Sequence, residues 1–203
     1  MIWIKNSRSF SDLNNLDDIS MREPYAAICG ITETELRTHF DEDIHTLASA
    51  LERTYEEARS LLRKRYDGYH FVAGGPGIYN PFSLLNTFKY MRPEDYWFET
   101  GTPSYLVELL KHTHYDLYEL ANTETDADVL NSIDSTSSNP VPVIYQSGYL
   151  TIKDYDSRFG IYKLGFPNLE VEEGFVKYLL PFYTSVSAPK TPFEIGRFVR
   201  EVE

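Results

Sequence analysis

No helix or strand can run through Gly74-Gly75-Pro76-Gly77, so the 203 residues must form elements that end before this run and elements that begin after it. The continuation after Gly77 is wrong for a Gly-x-Gly-x-x-Gly dinucleotide loop, and the turn preferences of Gly and Pro make the run a linker. A subdomain boundary is expected there.

Before the break, Leu36, Phe40, Ile44, Leu47 and Leu51 recur at helical spacing, and the spacing predicts one helix from Thr32 to Leu51. Thr32-x-x-Glu35 is a capping box at its start. Thr54-x-x-Glu57 repeats the signal and opens a second helix with Tyr55, Ala58, Leu62 and Tyr66 on one face, which Asp67-Gly68 ends. Joined through Glu52-Arg53, the two make a helical hairpin.

After the break, Asn80-Pro81 and Thr102-Pro103 each place a capping side chain before a proline suited to a first helical turn. The expected buried faces are Phe82, Leu85 and Phe88 on one helix and Leu106, Leu109 and Leu110 on the other. Asn122 to Asn139 has room for one weak helix around Ala127, Val129, Leu130 and Ile133 in what is otherwise a surface loop, and Pro140 to Gly148 is ambiguous, compatible with a strand at Val143-Ile144-Tyr145 or with a short helix capped by Gly148, the helix being favoured. Tyr149 to Tyr155 and Ile161 to Phe166 alternate about the turn Asp156-Ser157-Arg158-Phe159-Gly160, which predicts a β-hairpin. Asn168 caps a helix burying Val171, Phe175, Tyr178 and Leu179, with Pro181 as its expected stop. Ile2-Trp3-Ile4 reads as a strand without a neighbouring partner, and the helix opened by Thr191-Pro192 reaches Glu203 without a cap, so both ends are expected to continue into a longer protein. The expected class is mainly α (α+β).

A net charge of -12 repels a phosphate backbone, which makes nucleic acid an unlikely partner of this chain alone. Arg63-Lys64-Arg65 complements the C-terminal end of a helix. A single cysteine, Cys29, excludes an internal disulfide and suits a reducing, cytoplasmic compartment; no stretch is long and apolar enough to span a membrane. There is no Gly-Lys pair, hence no phosphate-wrapping loop, and no lysine has an acidic residue two positions before it, as metal-dependent nucleases of the PD-(D/E)xK type require. His112-x-His114 has the wrong spacing for a helical metal pair. No catalytic residue, metal site or cofactor is therefore assigned to the chain.

Seven stretches in order carry a resemblance: Phe10 to Ser20, Tyr25 to Glu33, Tyr66-Asp67-Gly68-Tyr69-His70-Phe71, Tyr79-Asn80-Pro81-Phe82-Ser83, Tyr96 to Pro103, Gln146 to Ile152 and Leu164 to Asn168. Together they resemble the bacterial AAA-ATPase-like family whose ATPase region is often followed by a PD-(D/E)xK nuclease-like domain. The match covers the later part of that region. It implies a remnant of the ATPase core at 1–20, a helical lid at 21–73, a winged-helix-like unit at 79–185 with the hairpin as its wing, and the start of a linker helix at 190–203. ATP and Mg²⁺ are then implied for the full-length parent, and the partners would be its N-terminal ATPase core and C-terminal nuclease-like domain. The resemblance makes Tyr66, Asp67, Gly68, Tyr69, His70, Asn80 and Pro81 nucleotide-proximal, where the residues alone read as a helix stop with packed aromatics. Asn14 and Asn15 either lie near a γ-phosphate sensor or shape a turn. The resulting expectation is a non-catalytic fragment that couples nucleotide state to domain movement. Its rivals are a free-standing winged-helix DNA-binding regulator and a module whose acidic surface docks a protein.

Overall fold

The computed structural model describes residues 19–100, 108–110, 113, 123–132 and 139–183. The expected strand at Ile2 to Ile4 and the expected helices after Thr102-Pro103 and Thr191 lie outside these residues. The protein is mainly helical α+β, with a two-stranded and a three-stranded antiparallel sheet.

Both capping boxes form completely. Thr32 Oγ1 accepts from Glu35 N at 3.2 Å while Thr32 N donates to Glu35 Oε2 at 2.8 Å, and Thr54 and Glu57 repeat the exchange. The first box opens α1 (Glu33–His39) and the second α3 (Tyr55–Tyr66). The single helix expected from Thr32 to Leu51 is two, because Phe40 leaves helical geometry (φ -124°, ψ 19°) and α2 (Asp41–Ala50) starts afresh behind it. Asp41, Glu42 and Asp43 fill the first turn of α2, where negative charge suits the helix dipole, and the break lets Phe40 stack on Phe88 at 5.6 Å.

Leu36, Ile44, Leu47, Ala58, Leu62 and Tyr66 form one core, and Tyr79, Leu84 and Phe88 from beyond the glycine run join it. The run itself closes a tight loop: Tyr69 N donates to Ile78 O at 3.3 Å and Ile78 N to Tyr69 O at 3.0 Å. β2 (Ile78–Tyr79) then pairs antiparallel with β1 (Ile31–Thr32). Asn80 Oδ1 caps α4 (Pro81–Tyr90) by accepting from Phe82 N at 3.0 Å. The face α4 buries differs from the expected one. Ser83, Leu84, Thr87 and Phe88 point inward, whereas Phe82 and Leu85 are 46% and 48% exposed, because polar partners inside claim the Ser83 and Thr87 hydroxyls.

The second core gathers Leu110, Ile144, Leu150, Ile152, Leu164, Val171 and Phe175. The weak helix forms as α6 (Ala127–Asn131) and the ambiguous segment as α7 (Val141–Gln146), with α5 (Tyr96–Thr100) before them. The predicted hairpin is β4 (Thr151–Asp156) and β5 (Ile161–Gly165). Asp156 Oδ1 organises its turn by accepting from Arg158 N at 2.8 Å and Phe159 N at 3.2 Å. One hairpin was expected; a third strand, β3 (Glu124–Thr125), lies on the free edge of β5, and the β1–β2 pair makes a second sheet. Both additions join residues far apart in the chain, which local alternation does not report.

Asn168 Oδ1 accepts from Val171 N at 3.2 Å and caps α8 (Leu169–Tyr183). The helix runs past its expected stop at Pro181, since a proline φ is itself helical and, this near the end, the ring removes a single hydrogen bond. Val171 and Phe175, both buried, hold it to the second core. No helix of the described residues is long and apolar enough to cross a membrane.

Candidate functional site

The turn that ends α3 is built by three constraints. Asp67 leaves helical geometry (φ -83°, ψ 164°), and its Oδ1 accepts from Gly68 N at 2.8 Å. Gly68 follows at φ 110°, a value L side chains rarely adopt, and a Cβ there would lie 2.2 Å from Pro167 O. His70 is then clamped to β4, its N–H donating to Thr151 Oγ1 at 2.7 Å while the same hydroxyl donates to His70 O at 2.9 Å.

Among the sequence candidates, Tyr66, Asp67, Gly68, Tyr69, His70, Asn80 and Pro81 come together around this turn. Tyr66 is fully buried; its hydroxyl donates to Glu94 O at 2.9 Å and accepts from Thr87 Oγ1 at 2.9 Å. Burial pushes its phenol up to about 12. The Tyr69 phenol is also raised by burial. Asn80 N donates to Tyr66 O at 2.9 Å, and Pro81 occupies the first position of α4. These five residues have structural tasks: Tyr66 and Asn80 are buried, Tyr69 packs half-buried against the second core, Gly68 supplies the bend and Pro81 starts a helix. Asn14 and Asn15 lie outside the described residues.

Asp67 and His70 are the pair with chemistry left over. A Cβ at Gly77 would stand 3.1 Å from Asp67 Oδ1 and 3.5 Å from His70 Nε2, so the Gly77 backbone packs against this pair and a side chain there would crowd it. His70 Nδ1 is 3.1 Å from Gly75 O, and a carbonyl can only accept, so Nδ1 carries a hydrogen. Burial raises the Asp67 carboxyl, opposed by the Gly68 N–H and by Arg63, whose Nε stands 3.7 Å away. Lys153, from β4, donates to Pro167 O at 3.2 Å, and burial lowers its ammonium although Glu172 and Asp67 oppose that. The Asp67 carboxyl oxygens accept hydrogen bonds and so suit an amino or N–H group. They do not suit phosphate, and Glu33 adds further negative potential at Asp67.

A second polar cluster was not legible in the sequence. Glu170 on α8 is fully buried, and its Oε1 accepts from Ser83 Oγ at 2.8 Å and from Trp97 N at 2.9 Å. Arg65 pairs with Asp95 and reaches Glu173 at 3.5 Å. One signal was present for Glu170: it shares a helical stripe with Gly174 and Tyr178, and at Gly174 a Cβ would stand 2.5 Å from Phe98 Cγ. Thr151 carried no signal, since its role depends on a backbone 81 residues earlier.

Open depressions lie along α3, lined by Arg53, Glu56, Ser60 and Lys64, and beside α1, lined by Glu33, Thr34 and Arg37; neither includes Asp67 or His70. Among the described residues no three His, Cys, Asp or Glu are gathered where they could hold a metal ion.

The chain is 36% identical over 177 residues to an uncharacterized protein in the vnfD 5′ region of Azotobacter chroococcum mcd 1. The alignment covers 86% of this chain and 32% of that protein, so the chain spans about a third of its relative's length. No family model and no solved structure matches the chain.

Proposed function

We propose that this chain is the lid and winged-helix-like part of an AAA-ATPase-like protein, not catalytic by itself, in which it couples nucleotide state to domain movement. The observation that carries the reading is the clamp between His70 and Thr151. It fastens the turn after the capped helices to the three-stranded sheet, so a contact made at the turn is transmitted to the hairpin without an intervening flexible segment. The Asp67 carboxyl then supplies hydrogen-bond acceptors for the amino edge of a base. The bound nucleotide would bring the phosphoryl chemistry, and the groups holding its phosphates and Mg²⁺ belong to the parent's core. The relative's threefold greater length supports a longer parent.

Base contacts alone bind weakly, because most nucleotide affinity comes from charge-assisted bonds to the phosphates. Calorimetry with ATP and Mg²⁺ together with a phosphate-release assay tests the reading on this chain. The expected result is neither turnover nor micromolar binding. Micromolar affinity, or turnover abolished by Asp67→Ala or His70→Ala, would show a nucleotide site complete in these residues and end the fragment reading.

A further inference from the structure

α4 is apolar on two opposite sides. Leu84 and Phe88 point into the first core, while Phe82 and Leu85 stand on the outer face, each about half exposed. A helix that is hydrophobic all round is ordinarily enclosed on every side. Tyr90, also half-exposed, extends the outer face at its C-terminal end. Phe159 and Ile28 are more exposed, but each stands on a turn, whereas Phe82 and Leu85 are neighbours three residues apart on one helix.

The outer face is held in order before anything covers it. Asn86, the polar residue beside Leu85, spends its amide on its own helix, Nδ2 donating to Phe82 O at 2.8 Å. Lys89 lays its ammonium 4.9 Å from the centre of the Tyr90 ring, and that ring stacks on Tyr96 at 6.0 Å. Side chains fixed in advance lose less entropy when a partner covers them. Charge sets this face apart as well. The chain has 31 acidic residues, yet none lies between Asp67 and Glu94, and the charges carried from Asn80 to Pro93 are those of Lys89 and Arg92 alone.

We propose that the outer face of α4 docks an amphipathic helix of a partner protein whose apolar stripe is flanked by carboxylates. Phe82 and Leu85 receive the stripe, and the carboxylates meet Lys89 and Arg92. Size selects a helix as the occupant. Half of each of three such side chains amounts to a patch on the order of 200–300 Å². One helix covers that area, whereas a stable pairing of two copies needs about 800 Å² from each. A net charge of -12 also opposes both a second copy and an anionic membrane surface, while it favours no acid at any other part of the chain over the acid-free stretch around α4.

The test uses the whole chain and a fluorescein-labelled synthetic helix of about 18 residues, with leucines at alternating spacings of three and four, glutamates flanking them and alanine elsewhere. A twin peptide carries lysine in place of each glutamate. In anisotropy titrations the acidic peptide should half-saturate below about 100 μM, and the lysine twin should bind at least about tenfold more weakly. Leu85→Glu should weaken the acidic peptide by about tenfold or more and Lys89→Glu by at least about threefold. Ile28→Glu, at an exposed apolar position elsewhere, should leave it unchanged. These three positions are exposed, so the variants should keep the wild-type circular dichroism; should Leu85→Glu fail to fold, Leu85→Ala replaces it with an expected loss of about threefold. No binding of the acidic peptide, or equal binding by the Leu85 variant and wild type, would overturn the proposal. So would sedimentation showing a dimer that Leu85→Glu dissolves, or flotation with phosphatidylserine–phosphatidylcholine vesicles that Leu85→Glu abolishes, since either gives the face a different occupant.

Discussion

A single hydroxyl, Thr151 Oγ1, both accepts from the backbone N–H of His70 at 2.7 Å and donates to its carbonyl at 2.9 Å. The pairing imitates a strand ladder with a side chain where a backbone would stand. It makes Thr151, which is 2% exposed, the fastening point of the candidate turn. Thr151→Val keeps the shape and removes both bonds, leaving a half-buried donor and acceptor unmet, and should cost about 1–3 kcal/mol in urea unfolding. Thr151→Ser keeps the hydroxyl and should cost under about 1 kcal/mol. Equal stability of the valine variant and the wild type would remove the clamp from the account.

Gly68 and Gly74 offer an internal comparison. Both have positive φ, at 110° and 71°, but a Cβ at Gly68 meets Pro167 O at 2.2 Å whereas nothing lies within 4 Å of one at Gly74. Gly74→Ala should therefore show only the left-handed backbone penalty, about 1–2 kcal/mol. Gly68→Ala adds a backbone clash and should lose at least about 1 kcal/mol more, of the order overpacking produces. Thermal unfolding of the two variants side by side measures the difference. Equal losses would mean that the turn yields at Pro167.

Stability should fall as pH rises towards and through neutrality, the reverse of what a salt-bridged carboxylate gives. The Glu170 carboxyl is raised from 4.5 to about 7, so the folded state binds a proton that the unfolded chain has released. Its contribution is complete below pH 4.5 and is lost as pH rises through about 7, a difference of about 3 kcal/mol by linkage. Urea midpoints at pH 5 and 8 should converge in E170Q relative to wild type. A wild-type midpoint unchanged across that range would contradict burial of an ionisable group.

The hairpin tip decides between the rival readings. Phe159 is 65% exposed with the Arg158 guanidinium 5.0 Å from its ring centre, a combination that could face a base or a protein. Asp154 and Asp156 on the same hairpin, and a net charge of -12, argue against a phosphate backbone. Duplex DNA should bind no more tightly than ~10⁻⁶ M at physiological salt in fluorescence anisotropy. Tight binding with a steep salt slope, lost in Arg158→Ala, would restore the DNA-regulator reading.

Chemistry that acts within about four residues was legible along the chain. The boxes at Thr32 and Thr54, the Asn80 and Asn168 caps, the stop at Asp67-Gly68 and the Asp156 turn are each made by neighbours along the chain, so spacing alone reveals them. The hairpin was readable for the same reason, its strands being joined by a short loop.

Which faces turn inward depends on partners that meet only in the folded molecule. α4 turns Ser83 and Thr87 inward because Glu170 and Tyr66 wait there, 87 and 21 residues away along the chain, and hydrophobic spacing alone selected Phe82 and Leu85 instead. Phe40 breaks a continuous helical pattern to stack on Phe88, and β3 finds β5 from outside the hairpin. A buried carboxylate such as Glu170 shares its spacing with apolar neighbours and its charge with exposed ones. Its burial follows from partners that the fold brings together, a property no local window of residues contains.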